Sequence, residues 1–162
     1  MEQKFVQIIN QNQGILHKVC RIYCTNTTER EDLFQEIILQ LWKSFPSFRG
    51  ESKVTTWMYR IALNTAISGI RKKKITTTGL ELFTYQIADH PQQNNEEELT
   101  RLYKSIEQLS DVEKSILLLY LEDKPYDEIA EIIDITANHV AVKMSRIKDK
   151  LRTLLQSASL WN

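Results

Sequence analysis

Phe48-Arg49-Gly50-Glu51-Ser52-Lys53-Val54-Thr55-Thr56-Trp57-Met58-Tyr59-Arg60-Ile61-Ala62-Leu63-Asn64 leads on to Arg71-Lys72-Lys73-Lys74, and its character changes part-way along. The first part, with Gly50 and Ser52, reads as a loop. The second reads as a helix capped by Thr55 or Thr56, whose hydroxyl would accept from the open amides of the first turn. On a helical wheel, Met58, Tyr59, Ala62, Leu63, Ala66, Ile67 and Ile70 share one broad arc and form the expected core face. Trp57, Arg60, Ile61, Asn64, Thr65, Ser68, Arg71 and Lys72 share the other. A large aromatic therefore sits among cations and hydrogen-bonding groups. Phosphates attract Arg and Lys. Unpaired bases stack on aromatic planes and pair with amides. The same pattern also fits an ordinary amphipathic helix with a partly covered tryptophan and a solvated basic end.

Outward from this stretch, the totals define the class. A chain of 162 residues makes one domain or two small ones. A hydrophobic share of 42% is that of a globular protein, and only three prolines and four glycines favour helices. No long alternation of β-branched residues occurs, so the expected fold is all-α. The formal net charge is zero, but it arises from blocks of opposite sign. Residues 42–74 carry 8 basic and 1 acidic side chains, and residues 135–162 carry 5 and 1. Residues 75–134 carry 4 basic and 14 acidic side chains. Two basic blocks separated by an acidic one suggest two phosphate-contacting surfaces.

The resemblance is carried by the quoted run itself. Phe48 through Asn64 resembles the promoter-melting segment of bacterial sigma factors of the extracytoplasmic-function (ECF) class. The similarity covers Phe-Arg-Gly-Glu-Ser and Thr-Trp-Met-Tyr-Arg-Ile-Ala-Leu-Asn-Thr-Ala. It implies two helical domains, one that docks on core RNA polymerase and opens the minus-ten element and one that reads the minus-thirty-five element. It implies that Phe48, Ser52 and Asn64 capture an unstacked base, and that Trp57 and Arg60 flank the opened strand. Ser68, Arg71 and Lys72 continue the same face towards DNA.

Before this run, Phe5, Ile8, Ile9, Ile15, Leu16, Val19 and Ile22 or Tyr23 recur at helical spacing, predicting a helix over 2–24 that breaks, if at all, near Gly14. Thr28 or a neighbour is expected to cap a helix over 29–45. Its apolar positions cover more than one face, so it is buried on two sides or offers surface to a partner. Asp32, Gln35, Glu36, Leu39 and Trp42 resemble the family's segment for docking on the clamp helices of the polymerase's largest subunit. Read without the resemblance, Asp32 and Glu36 are a solvated flank near a helix N-terminus. Pro46 ends the helix.

His17, Cys20 and Cys24 form His-x-x-Cys-x-x-x-Cys, but a structural zinc needs a fourth ligand and no nearby His or Cys supplies it. They read as residues of a core helix, with no metal or other cofactor. The two cysteines are poorly placed for a disulfide, which fits a reducing cytosol. No signal pattern and no apolar run of about 20 residues is present, so the expected location is cytoplasmic, with no embedding in a membrane.

Residues 1–74 are thus expected to form the first domain, 75–95 a flexible polar linker, and 96–162 the second domain. Glu96-Glu97-Glu98 after the linker would complement a helix dipole. The resemblance implies that the linker threads a polymerase channel; an acidic block folding back on the basic one is a further alternative. In the second domain, Ser110-Asp111-Val112-Glu113 matches a capping box. Tyr126 to Ile133, the turn Asp134-Ile135-Thr136 and a basic helix from Ala137 have helix-turn-helix anatomy. Thr136 is the expected cap, and Asn138, His139, Lys143 and Arg146 the residues facing the major groove. Lys148, Lys150 and Arg152 are expected to meet phosphates or solvent. Where the family often has a basic residue and a Ser after the Val140 position, this chain has Ala141 and Val142.

The leading reading is an initiation factor that acts with core polymerase (its clamp helices and flap) and promoter DNA, under an anti-sigma factor. The alternative is a stand-alone helix-turn-helix regulator of duplex DNA, which leaves the face of 57–74 without a purpose. A helical adaptor with no DNA role leaves both basic blocks unexplained. No phosphate-binding glycine loop or nucleophile–base pair suggests an enzyme.

Overall fold

The computed structural model describes residues 1–76 and 96–159; the expected linker, 75–95, lies almost wholly outside them. Every regular element among the described residues is helical. Two compact units divide the chain, Met1–Gln86 and Ile87–Asn162.

The first unit holds α1 (Glu2–Gln11), α2 (Gln13–Tyr23), α3 (Thr27–Ser44), a 3-10 turn (Phe45–Ser47) and α4 (Val54–Thr76). The helical run expected over 2–24, with its possible break near Gly14, is two helices that meet at Asn12, two residues before that glycine. The Asn12 side-chain amide donates to the Ile8 carbonyl at 2.8 Å, satisfying a carbonyl at the end of α1. Gly14 lies inside α2. The cap of α3 is also displaced: Asn26, not Thr28, accepts from the Glu29 N–H at 2.8 Å. In α4, the Trp57 N–H donates to the Lys53 carbonyl, so Thr55 and Thr56 lie within the first turn and Thr56 is buried. Neither occupies the flanking cap position expected for it.

α2, α3 and α4 pack against one another. Leu16, Val19, Ile37, Leu41, Met58, Tyr59, Ala62, Leu63 and Ala66 are buried there. Small Ala62 and Ala66, one turn apart on α4, let the neighbouring helices approach closely. Ile67 and Ile70, expected on the same arc, are only half-buried. α1 is held by Phe5, whose ring meets Trp42 edge-on at 5.0 Å and Phe45 at 5.3 Å. Burial pushes the Cys20 thiol up to about 11, so it stays neutral within the core. His17 stacks on Phe34 at 4.8 Å, and among the described residues no group of three or more His, Cys, Asp or Glu could hold a metal ion.

The second unit holds α5 (Glu96–Glu107), α6 (Asp111–Leu121), α7 (Tyr126–Ile133) and α8 (Ala137–Ser159). α6 buries Ser115 to Leu119 consecutively, as a helix apolar on all sides must. It packs on α7 and α8, and α5 covers α8. The capping box forms: Ser110 Oγ accepts from the Glu113 N–H, and Glu113 Oε2 accepts from the Ser110 N–H at 2.8 Å. Two aspartates end helices in the left-handed region, Asp123 at φ 57° and Asp134 at φ 64°. After each, the next amide reaches back five residues, Lys124 N–H to the Leu119 carbonyl and Ile135 N–H to that of Ala130. The first stop turns the chain from α6 towards α7, and the second sets the tight corner between α7 and α8.

Candidate nucleic-acid interface

In the first unit the candidate interface begins at the loop before α4. Gly50 has φ +74°, a conformation that side chains rarely adopt, and an added Cβ would meet nothing within 4 Å. The glycine is therefore required by backbone conformation and not by space. Across this turn the Phe48 ring stacks on Trp57, with centroids 4.7 Å apart and planes at 27°. Trp57 also tilts against Phe45 at 6.2 Å. Trp57 is thus half-buried, with one face covered by Phe48, the partly covered tryptophan that the wheel also allowed. Through Phe45 and Phe5 the rings continue to Trp42, a chain of contacts in which each ring meets the next. Sequence separation hid this arrangement; only the abundance of aromatics near Phe45 hinted at it.

Beyond the stacked pair, Arg60, Asn64 and Ser68 follow at one-turn spacing on α4, all exposed, with Arg71 and Lys72 exposed one turn further. Ser52 lies half-buried in the loop. This edge offers an aromatic stack, an amide and cations in one line. On α3, Asp32, Gln35, Glu36, Leu39 and Trp42 are all exposed and share one face. Leu39 and Trp42 keep 44% and 41% of their surface in solvent, so α3 offers surface instead of being buried on two sides. Glu36 accepts from the Gln40 side chain at 2.8 Å, which orders this rim.

In the second unit Thr136 Oγ1 accepts from the His139 N–H at 3.1 Å, capping α8 as its sequence suggests. Buried Val140, Met144 and Ile147 mark the inner stripe of α8. Asn138, His139 and Arg146 are exposed, whereas Lys143 is half-buried on the flank. The three later cations are engaged within the unit and do not simply face solvent. Lys148 lies over the Tyr120 ring at 4.7 Å, Lys150 pairs with Glu113 at 3.2 Å, and Arg152 pairs with Asp149 at 3.2 Å. Partial burial pushes the Glu113 carboxyl upward, but hydrogen bonds from Ser110 and Lys150 outweigh it and hold the group below the usual carboxylate range. Lys150 is thereby tied to the α6 cap.

The fold and these faces define a class: a helical protein of two units, the second of helix-turn-helix type. Residues 8–75 match the family described as sigma-70 region 2, and residues 99–151 match sigma-70, region 4. The chain is 28% identical over 169 residues to the ECF RNA polymerase sigma factor SigW of Bacillus subtilis, covering 96% of this chain and 90% of SigW. It is 29% identical over 139 residues to the ECF sigma-E factor of Haemophilus influenzae, covering 77% of this chain and 74% of that one. Among solved structures, the sigma factor RpoE in complex with the anti-sigma factor NepR from Bartonella quintana superposes with a TM-score of 0.74 at 22% identity, over 96% of both chains. CnrH, in complex with the cytosolic domain of CnrY, superposes with a TM-score of 0.70 at 18% identity, over 97% of this chain and 90% of that one.

The chain belongs to the sigma-70 family, in its ECF class. It is a sigma factor, a DNA-binding initiation factor that associates with RNA polymerase. Among the described residues, no helix is long and apolar enough to cross a membrane.

Proposed function

We propose that the two units divide the work of promoter recognition. The exposed α3 face of Asp32, Gln35, Glu36, Leu39 and Trp42 docks on the clamp helices of core polymerase. Its acidic start and apolar end supply orientation and buried area respectively. The α4 edge then engages the minus-ten element. A base unstacked from the duplex lodges beside Phe48, Ser52 and Asn64, while Arg60, Ser68, Arg71 and Lys72 hold the strand. The observation that carries this reading is the stacked Phe48–Trp57 pair, 4.7 Å between centroids, set directly before the Arg60–Asn64–Ser68 line. A rigid aromatic stack next to an amide and cations is the chemistry that single-stranded DNA requires.

In the second unit, α8 enters the major groove of the minus-thirty-five element through Thr136, Asn138, His139, Lys143 and Arg146, and the unit contacts the polymerase flap. The protein catalyses no reaction of its own and works in the cytoplasm. RpoE was solved with the anti-sigma factor NepR and CnrH with the cytosolic domain of CnrY, and an anti-sigma factor is the expected regulator here too.

Co-elution with purified bacterial core polymerase, followed by permanganate footprinting on promoter fragments, tests the division. Stable co-elution with new thymine reactivity near minus ten is the expected result. Loss of association with core, together with tight duplex binding by the isolated protein, would favour a stand-alone regulator instead.

A further inference from the structure

The outer arc of α8 carries a side chain that phosphate contacts and hydrogen bonds leave without a role. Val142 keeps 48% of its surface in solvent. It lies opposite the buried stripe of Val140, Met144 and Ile147. It stands one turn after Asn138 and one turn before Arg146, so these three exposed side chains follow each other in a line along the helix. A single exposed valine on an ordinary helix needs no explanation. This one sits in the early part of the second helix of a helix-turn-helix, the part that faces base edges in the major groove. Its neighbour Ala141 also lacks a hydrogen-bonding group, so two successive positions are purely apolar.

The apolar feature of the major-groove floor is the C5-methyl group of thymine. A valine there gains by covering that methyl and gains nothing from the polar edges of the other bases. We propose that Val142 is a specificity-determining residue that packs on a thymine methyl in the upstream promoter element. The recognised thymine lies between the base pairs reached by Asn138 and Arg146. Asn138 is suited to an adenine edge, and Arg146 to a guanine edge. The inference rests on the reading that α8 enters the minus-thirty-five major groove.

The test uses holoenzyme assembled from the full chain and bacterial core polymerase. Fragments randomised upstream are selected for binding, and each thymine of the enriched motif is then replaced singly by uracil, which removes only the methyl. With the natural chain, one position is expected to lose about fourfold in affinity, the worth of one buried methyl group. With Val142→Ala, natural DNA binds more weakly and the uracil replacement at that position no longer matters. If every thymine tolerates uracil, or if Val142→Ala keeps the same fourfold loss, the assignment to Val142 is overturned while the α8 reading stands. If no upstream motif is enriched at all, the α8 reading falls and this inference with it. Circular dichroism of Val142→Ala should match the natural chain, because the site is exposed and alanine favours helix.

Discussion

Asn64 and Trp57 sit on the same outer arc of α4 but behave as different kinds of residue. Asn64 is exposed. Its replacement by Ala should lower permanganate-detected promoter opening about tenfold, the worth of an amide paired to a base edge. Co-elution with core polymerase should be unchanged; an equal loss of core binding would remove the base-pairing role. Trp57 is packed against Phe48 and Phe45. Trp57→Ala should therefore reduce opening and also cost about 3 kcal/mol of stability, read from urea denaturation. Trp57→Phe should recover most of the stability. The wheel placed both residues on the correct arc. It allowed a partly covered Trp57 but could not name the cover, because that comes from Phe48 across a left-handed Gly50, a contact with no helical periodicity.

Helix ends show what element-level chemistry contributes. Asp134 holds the α7–α8 corner at φ 64°, where a Cβ is strained. Asp134→Gly should relieve that strain and stabilise the second unit by roughly 0.5–1 kcal/mol in thermal melts, the relief exceeding the added freedom of the unfolded chain. Ser110→Ala should cost about 1 kcal/mol by removing one half of the capping box. Glu113 has a lowered pKa in the fold, so its contribution is present above its ordinary value of 4.5 and is lost as pH falls through the folded value. The natural chain should thus lose stability below about pH 4.5, and Lys150→Ala should lose less over the same window; an identical acid profile would exclude the Lys150 tie. The capping box and the Thr136 cap were legible because each has one suitable residue at one suitable spacing. The cap at Asn26 was not, since Thr25, Asn26, Thr27 and Thr28 all qualify by type. Which one wins depends on where the chain turns from α2 into α3.

At the scale of the molecule, charge is distributed so that a neutral chain carries two cationic faces. Residues 42–74 hold 8 basic and 1 acidic side chains, so the α4 edge should dominate the salt dependence of open-complex formation. Replacing Arg71 and Lys72 together by Ala should flatten the log–log dependence of affinity on salt by about 1 to 2. An unchanged slope would show that neither cation meets a phosphate. On α8 the equivalent block is smaller than its composition implies. Lys150 and Arg152 are paired with Glu113 and Asp149, and Lys148 lies over Tyr120. Charge counting along the sequence cannot see the Lys150–Glu113 pair, because the two residues are far apart in the chain and meet only where α6 packs on α8.

The sequence by itself determined that the chain is helical, that it carries a helix-turn-helix near its end, and that its net charge is divided into opposed blocks. Each of these is local: periodicity, a cap at fixed spacing, or a count over neighbours. It also carried the family resemblance, through the long run around Trp57. The tertiary structure decided which aromatics cover one another, which cations are tied within their own unit, and that Val142 stands exposed on the outer line of α8. Those outcomes depend on contacts between residues distant in sequence, and packing settles them.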